Sequence, residues 1–530
     1  MKRFIYTLTF VLMAIIAFRA AGFELTPDRK LQYAEGIIST YYVEPVDRDT
    51  IVDEAIKAML KTLDPHSVYS TPEETRELNE PLLGNFSGVG IQFNMTTDTL
   101  YVIQTVAGGP SEKVGILPGD RIMEVNDTLI AGVKMKNTDV MKRLRGPKGS
   151  TVNVKVLRNG VDNLIDFCIT RDDIPIYSID AAYMADPHTG YIRISQFAEK
   201  TPKEFREAIE KLRRQGMKNL IIDLQDNGGG YLNAAQELAN HFLKKGDLIV
   251  YTEAPRSPSF KYIAEKDGDF TDGKVVVLVN NYSASASEIL SGALQDHDRG
   301  AIVGRRTFGK GLVQRPFPFP DGSMIRLTVS KYYTPSGRCI QKPYVKGNLD
   351  DYQSDMKHRF ESGEFMHSDS IHFPDSLKYQ TLKTHRPVYG GGGIMPDRFV
   401  PLDTTWYTPY YRDVLAKGVI YQWVLQYLDA HRKELKKEYP TEERFAEKFE
   451  VSPEMMQQVI DRATKAEIEF NEEQYAKSGE YMRSLLKALL ARDLYENGSY
   501  FRIMNKLNPI YNEGLRLINQ PKEYNELLNR

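Results

Sequence analysis

Cysteine is nearly absent. Cys168 and Cys339 are the only two in 530 residues, too few for a disulfide framework, and they fall in different segments of the chain. Charge of one sign is lacking too: 69 Lys and Arg stand against 71 Asp and Glu, for a formal charge of -2. That balance excludes a broad electrostatic surface for nucleic acid, so nucleic acid is not an expected partner. No internal repeat and no low-complexity tract occurs. Metal-ligand clusters are equally thin. His367 and His372, with Asp369 and Asp375 nearby, have a spacing too loose for structural zinc, and neither metal nor cofactor is expected.

What is present begins at the N-terminus. Lys2 and Arg3 precede an apolar run from Phe4 to Phe18, and Ala20-Ala21-Gly22 follow. A basic start, an apolar stretch of about 15 residues and small residues form a secretory signal, short of the roughly 20 residues of a membrane span. Arg19 beside the small residues leaves cleavage open. The expectation is export, periplasmic, either soluble or tethered to the membrane through residues 1–22.

The length is too great for one core and predicts three or four folding units. Residues 23–83 read as helical, from Leu31, Ala34, Ile37 and Ile38 and then Ile51, Ala55, Met59 and Leu60. Residues 84–171 hold short β runs broken by Gly and Pro, with one helix at Lys136–Leu144. From 172 to 350 strands (Tyr191–Ile194, Leu220–Leu224, Val275–Val279, Ala301–Val303, Ile325–Tyr333) alternate with helices (Pro202–Arg214, Leu232–Leu243, Ser287–Gln295), the pattern of an α/β layer fold. Residues 351–405 read as a polar, irregular insertion and the end of that core, and 406–530 as a helical domain. In the latter, Tyr421, Val424, Leu425 and Leu428, and Leu485, Leu486, Leu489 and Leu490, form apolar stripes. Core packing is the default for them; a homo-oligomer contact is the alternative.

The strongest chemical signal is Ser283-Ala284-Ser285-Ala286-Ser287-Glu288, between a strand and a helix, followed by Thr307-Phe308-Gly309-Lys310-Gly311. Small residues allow a sharp turn and put a hydroxyl at the helix start, where amides face an anion. A serine needs a base, and lysine serves when its amine is neutral. Either segment alone would be ordinary: a serine N-cap, or a solvated cation. Together they resemble the C-terminal processing (tail-specific) peptidases in residue type, order and spacing. That resemblance implies a multidomain α/β chain with a crotonase-like protease core, in which Ser285 is the nucleophile, Lys310 the general base and Gln314 the residue that holds the lysine.

A second segment, Leu220 to Gly230, ends a hydrophobic strand in Asp223-Leu224-Gln225-Asp226-Asn227-Gly228-Gly229-Gly230. The glycine spacing fits neither GxGxxG nor GxxxxGK, so a phosphate loop is disfavoured. The resemblance implies an oxyanion hole from the Gly229 amide, or Gly228, and the Ala286 amide. The family usually has arginine where Gln225 stands, which puts a charged role there in doubt. Third, Ser87-Gly88-Val89-Gly90-Ile91-Gln92-Phe93, Gly109–Ile122 and Leu144–Gly149 resemble a PDZ domain, whose loop Gly88, Val89, Gly90 and Ile91 would receive a peptide carboxylate, either to engage substrate tails or to gate the active site. Arg145 reads as a solvated loop residue, and His66, in Leu63–Tyr69, as structural. Family-like segments also occur at Tyr332–Arg338 and Gly391–Asp397.

The reading is a serine endopeptidase acting on protein or peptide substrates with accessible C-termini. Its rivals are a PDZ-bearing adaptor with a non-catalytic protease-like domain, and an esterase built on the same nucleophile.

Overall fold

In a computed structural model of the chain, residues 25–96, 98–255 and 257–529 are described. The expected signal or anchor at 1–22 lies outside them. They form two compact units: residues up to Glu73 with Pro316–Leu327 and Tyr344–Tyr352, and Glu74–Arg315 with Thr328–Pro343 and the chain from Gln353 onward.

The smaller unit holds helices Pro27–Tyr41 and Arg48–Lys61, as the spacing predicts, and of the two helices only Leu60 is buried. Asp47 caps the second helix by accepting from the Asp49 amide. Asp64 accepts from the amides of His66 and Ser67, closing the turn into strand Val68–Ser70, which pairs antiparallel with Met324–Arg326. His66 Nε2 lies 2.8 Å from the Tyr352 hydroxyl, a packing contact within this unit.

In the larger unit the pair Asn85–Gly88 and Asp172–Pro175 brackets an antiparallel sheet in the order Ile91–Thr96, Thr99–Thr105, Arg121–Val125, Thr151–Leu157, Ile165–Thr170. Helix Asn137–Leu144 turns Val140 and Leu144 into its core, one helical turn apart. The last strand was not expected; its burial does alternate, but Ile169 alone of its residues is fully buried.

The second sheet has six strands in the order Ile179–Met184, Thr189–Ile194, Asn219–Asp223, Val275–Val279, Ala301–Gly304, Arg398–Phe399; the first pair is antiparallel and the rest parallel. Parallel strands covered on both faces read as unbroken apolar runs, and all five residues of Val275–Val279 are buried. Helices Thr201–Arg214, Leu232–Asn240 and Ala286–Asp296 cover one face. In the first of them Phe205, Ile209 and Leu212 recur at helical spacing and are fully buried, at about 1.5–3 kcal/mol each.

The other face is covered by helices Pro509–Ile518 and Pro521–Leu527, whose Ile510, Tyr511, Leu517, Ile518 and Tyr524 pack on Tyr191, Ile221, Val276, Leu278 and Val303. The rest of the C-terminal helical region, from Tyr410 to Met504, has its own core, and Leu485, Leu486, Leu489 and Leu490 are inside it. Core packing therefore accounts for that stripe.

One expectation is corrected. The stretch 351–390 is not irregular: it contains the end of helix Leu349–Glu361 and the hairpin Lys378–Gln380 with Pro387–Tyr389. The helix is masked in sequence because its inward face, Tyr352, Asp355, Met356 and Arg359, is half charged.

Candidate active site

Strand Val275–Val279 ends at a turn fixed by Ser283, whose hydroxyl donates to the Leu224 carbonyl at 2.7 Å and accepts from the Asn280 amide. Ser285 follows at φ +55, ψ -112, a strained conformation for a residue with a Cβ, and helix Ala286–Asp296 starts immediately after it. Gly229 lies directly against this turn. A Cβ there would sit 2.8 Å from both Ser285 Cβ and the Ala284 carbonyl, and its φ of +105 itself favours glycine.

Lys310 lies on the loop between strands Ala301–Gly304 and Leu312–Pro318. Glu288 ties this loop to Ser285. Its Oε2 accepts from the Ser285 amide at 2.8 Å and the Lys310 amide at 2.9 Å. Its Oε1 accepts from the Thr307 hydroxyl at 2.5 Å and the Gly309 amide at 2.8 Å. Complete burial pushes the Glu288 carboxyl up to about 7, against these four donors, which favour the anion. From the opposite side the Tyr332 hydroxyl, also buried, lies 2.6 Å from the Lys310 carbonyl and 3.1 Å from that of Ser285. Two backbone segments far apart in sequence are thus held together by one carboxylate and one phenol. Neither residue was singled out from the sequence for this role. Ser285-x-x-Glu288 does carry the capping-box spacing, which was the signal available.

Gln314 sits on the strand after Lys310, and its Nε2 donates to the Leu312 carbonyl at 3.2 Å and the Thr328 hydroxyl at 3.3 Å. On the glycine loop, the Gly229 amide donates to Asn227 Oδ1 at 2.8 Å. Asn227 is fully buried and is a hub: its Nδ2 donates to the Ile194 carbonyl, and its own carbonyl accepts from the Ala284 amide and the Ser287 hydroxyl. Ala286 opens the helix that follows Ser285, beside this loop.

A cation does lie beside Gln225, on a neighbouring strand. Buried Asp223 accepts from Arg193 Nη1 at 2.9 Å and from the Tyr191 hydroxyl at 2.6 Å, and Arg193 Nη2 donates to the Gln225 carbonyl. Burial works to lower the Arg193 guanidinium, but Asp223, Tyr191 and Asp226 together raise it above its ordinary range. Gln225 itself accepts from Asn508 Nδ2 at 3.3 Å.

Gly88 ends strand Asn85–Gly88, which pairs antiparallel with Asp172–Pro175 outside the first sheet; Gly88, Val89 and Gly90 are buried, Ile91 is half-buried, and strand Ile91–Thr96 lies at the edge of the first sheet. The Val89 carbonyl accepts from the Ser111 amide and hydroxyl, which pins this loop. Arg145 is not merely solvated: it pairs with Glu80 at 2.7 Å and stacks on Phe86 at 4.9 Å. Among the described residues no group of three or more metal-type ligands occurs, and Cys168 and Cys339 are free thiols.

Known families align with these parts. Residues 188–350 match peptidase family S41, 87–167 a PDZ domain, 20–75 the N-terminal domain of the activating protease CtpB, and 410–496 a family of unknown function. The carboxy-terminal processing protease CtpA of Bacillus subtilis is 37% identical over 328 residues, 61% of this chain and 69% of that one. A carboxy-terminal-processing protease of Bartonella bacilliformis is 37% identical over 309 residues, 57% of this chain and 70% of that one. Among solved structures, a photosystem II D1 C-terminal processing protease is 32% identical, covering 60% of this chain and 86% of that one with a TM-score of 0.35. With this sheet, this PDZ domain and relatives matched over more than two thirds of their length, the chain belongs to the carboxy-terminal processing proteases of peptidase family S41.

Proposed function

We propose that this protein is an exported serine endopeptidase that cuts polypeptides at or near accessible C-termini, with Ser285 as nucleophile and Lys310 as base. The observation that carries the reading is the shared carboxylate: Glu288 accepts from the Ser285 and Lys310 amides through one oxygen. Neutral Lys310 takes the Ser285 hydroxyl proton as Oγ bonds to the scissile carbonyl carbon. The leaving amine departs with that proton, and Lys310 then activates the water that hydrolyses the acyl-enzyme. The oxyanion is met by the Ala286 amide and a glycine amide of the 228–230 loop. Gly229 serves there only after releasing Asn227 Oδ1, whereas Gly228 has open space beside it. Gln314 offers its amide oxygen to the Lys310 amine while its nitrogen stays on the strand pair. The PDZ edge strand, with Gly88 to Ile91, takes up the substrate tail by strand addition. The basic and apolar start of the chain carries it out of the cytoplasm, into the periplasm, as a cleaved signal or a tether.

The test compares wild type with Ser285→Ala on an unfolded protein with an apolar C-terminus, with products followed by mass spectrometry. Cleavage by wild type alone is expected. Equal cleavage by Ser285→Ala would refute the nucleophile, and binding without cleavage by either would favour a peptide-binding scaffold.

A further inference from the structure

The insertion after residue 350 lies outside the residues matching peptidase family S41. Its helix end turns back onto the loop that carries Lys310. Arg359, 4% exposed, donates Nη1 to the Thr307 carbonyl at 3.1 Å and Nη2 to the Arg306 carbonyl at 2.9 Å. Its Nε donates to Glu364 Oε1 at 2.6 Å. Glu364, itself buried, also receives Arg306 in a two-point fork at 2.8 and 2.6 Å. Arg306 Nη1 reaches the Gly392 carbonyl, and a Cβ at Gly392 would meet that nitrogen at 2.5 Å. A second ion pair works on the same loop: Lys342 pairs with Asp355 at 2.8 Å and lies 4.2 Å over the Phe308 ring, while its amide donates to the Gly309 carbonyl.

These contacts fall on one side of Arg306–Gly309. On the other side, the Thr307 hydroxyl and the Gly309 and Lys310 amides go to Glu288, which also holds the Ser285 amide. The loop is therefore gripped between a carboxylate that takes its donors and a guanidinium that takes its carbonyls. A guanidinium suits that task because its planar fork fixes two acceptors at once, which an ammonium cannot do. An exposed insertion would place its charges in water. Here Arg359 and Glu364 are buried, and a buried ion cluster of this kind is strongly disrupted when one member is removed.

We propose that Arg359, oriented by Glu364, is a positioning residue for the catalytic lysine, so that the insertion sets the placement of Lys310 relative to Ser285. This rests on the Ser285–Lys310 reading. Arg359 touches no reacting atom and takes no proton; it fixes the peptide planes of residues 306–308 and, through them, the loop.

The experiment uses the full chain with Arg359→Met, Arg359→Lys and Ser285→Ala. It measures kcat and KM on an unfolded polypeptide, the rate of Ser285 labelling by a fluorophosphonate, and thermal unfolding. Displacing a base by about an ångström costs on the order of 100-fold, so Arg359→Met is expected to lower kcat by about 10- to 100-fold. KM should stay within about twofold, because no substrate contact is lost, and labelling should slow in parallel with kcat. Arg359→Lys keeps the pairing with Glu364 but reaches at most one carbonyl, and should fall in between. If Arg359→Met fails to fold, Arg359→Lys carries the test by the same split. A folded variant with wild-type kcat and labelling, or with its loss confined to KM, overturns the proposal. Wild-type cleavage by Ser285→Ala would overturn the underlying reading, and the proposal with it.

Discussion

Replacing Glu288 with glutamine separates what this side chain does for the fold from what it does for catalysis. Each carboxylate oxygen serves two donors, so the amide nitrogen that the substitution introduces must face one pair. Facing Ser285 and Lys310 it would meet two amides. Facing the other side it meets the Gly309 amide and the Thr307 hydroxyl, which can rotate. The cheaper choice leaves the Gly309 amide unpaired, at about 1–3 kcal/mol. Against that stands relief from burying a charge. A carboxyl moved from 4.5 to about 7 reflects about 3 kcal/mol disfavouring the anion. The two nearly cancel above pH 7, and Glu288→Gln is expected to fold. Activity is not protected in this way: the loop bearing Lys310 shifts, and kcat should drop about 100-fold.

The pH dependence sharpens the test. A carboxyl that titrates near 7 in the fold and at 4.5 when exposed holds its proton more tightly in the folded state. Its contribution to stability is full below pH 4.5 and is lost as pH rises to about 7. Activity runs the other way, because a protonated Glu288 turns an acceptor into a donor among amides. Denaturant melts of wild type minus Glu288→Gln should therefore slope downward between pH 4.5 and 7, while wild-type cleavage climbs toward pH 8. A flat difference, or a folded variant with kcat within about threefold of wild type, would refute the reasoning.

Gly229→Ala should abolish cleavage and destabilise the fold by several kcal/mol, since its Cβ would strike Ser285 Cβ and the Ala284 carbonyl oxygen at a left-handed φ; soluble expression with cleavage intact would show that the turn relaxes. Arg121 of the PDZ domain pairs with Asp429 of the C-terminal helices at 2.7 Å, and Gln104 donates to the Arg492 carbonyl. Asp429→Arg should loosen this docking and raise proteolytic nicking at the PDZ boundaries, and a second change, Arg121→Asp, should restore it. If the double variant is nicked like the single one, the pair does not hold the domain. For the tail, truncation after residue 405 should give insoluble protein rather than a folded monomer, because it uncovers Ile221, Val276 and Leu278; a soluble, folded product would count against that packing.

Strands such as Val275–Val279 were readable because burial on both faces leaves an apolar run, whereas Ser285 and Lys310 were singled out only by the resemblance that their two segments carry together. What joins them was not readable. Glu288 looks like a capping residue, and Tyr332 like any strand aromatic; their partners lie on loops whose approach only the folded sheet determines. Arg193 likewise reaches the Gln225 carbonyl from a neighbouring strand, a contact that inspection of the loop alone does not reveal. The insertion misled for a related reason. Its inward face carries Asp355 and Arg359, which in sequence read as solvent-facing and in the fold are paired.

The helices at 509–527 have a temporal consequence. The central strands of the catalytic sheet leave the ribosome roughly 200 residues before the layer that covers their rear, a lag of roughly 10–40 s at ordinary synthesis rates. Throughout that interval Val276, Leu278 and Tyr191 lack the helices that cover them in the finished fold. The two faces of one sheet thus depend on segments of very different age: the front is closed by helices made alongside the strands, the rear by helices near residue 520.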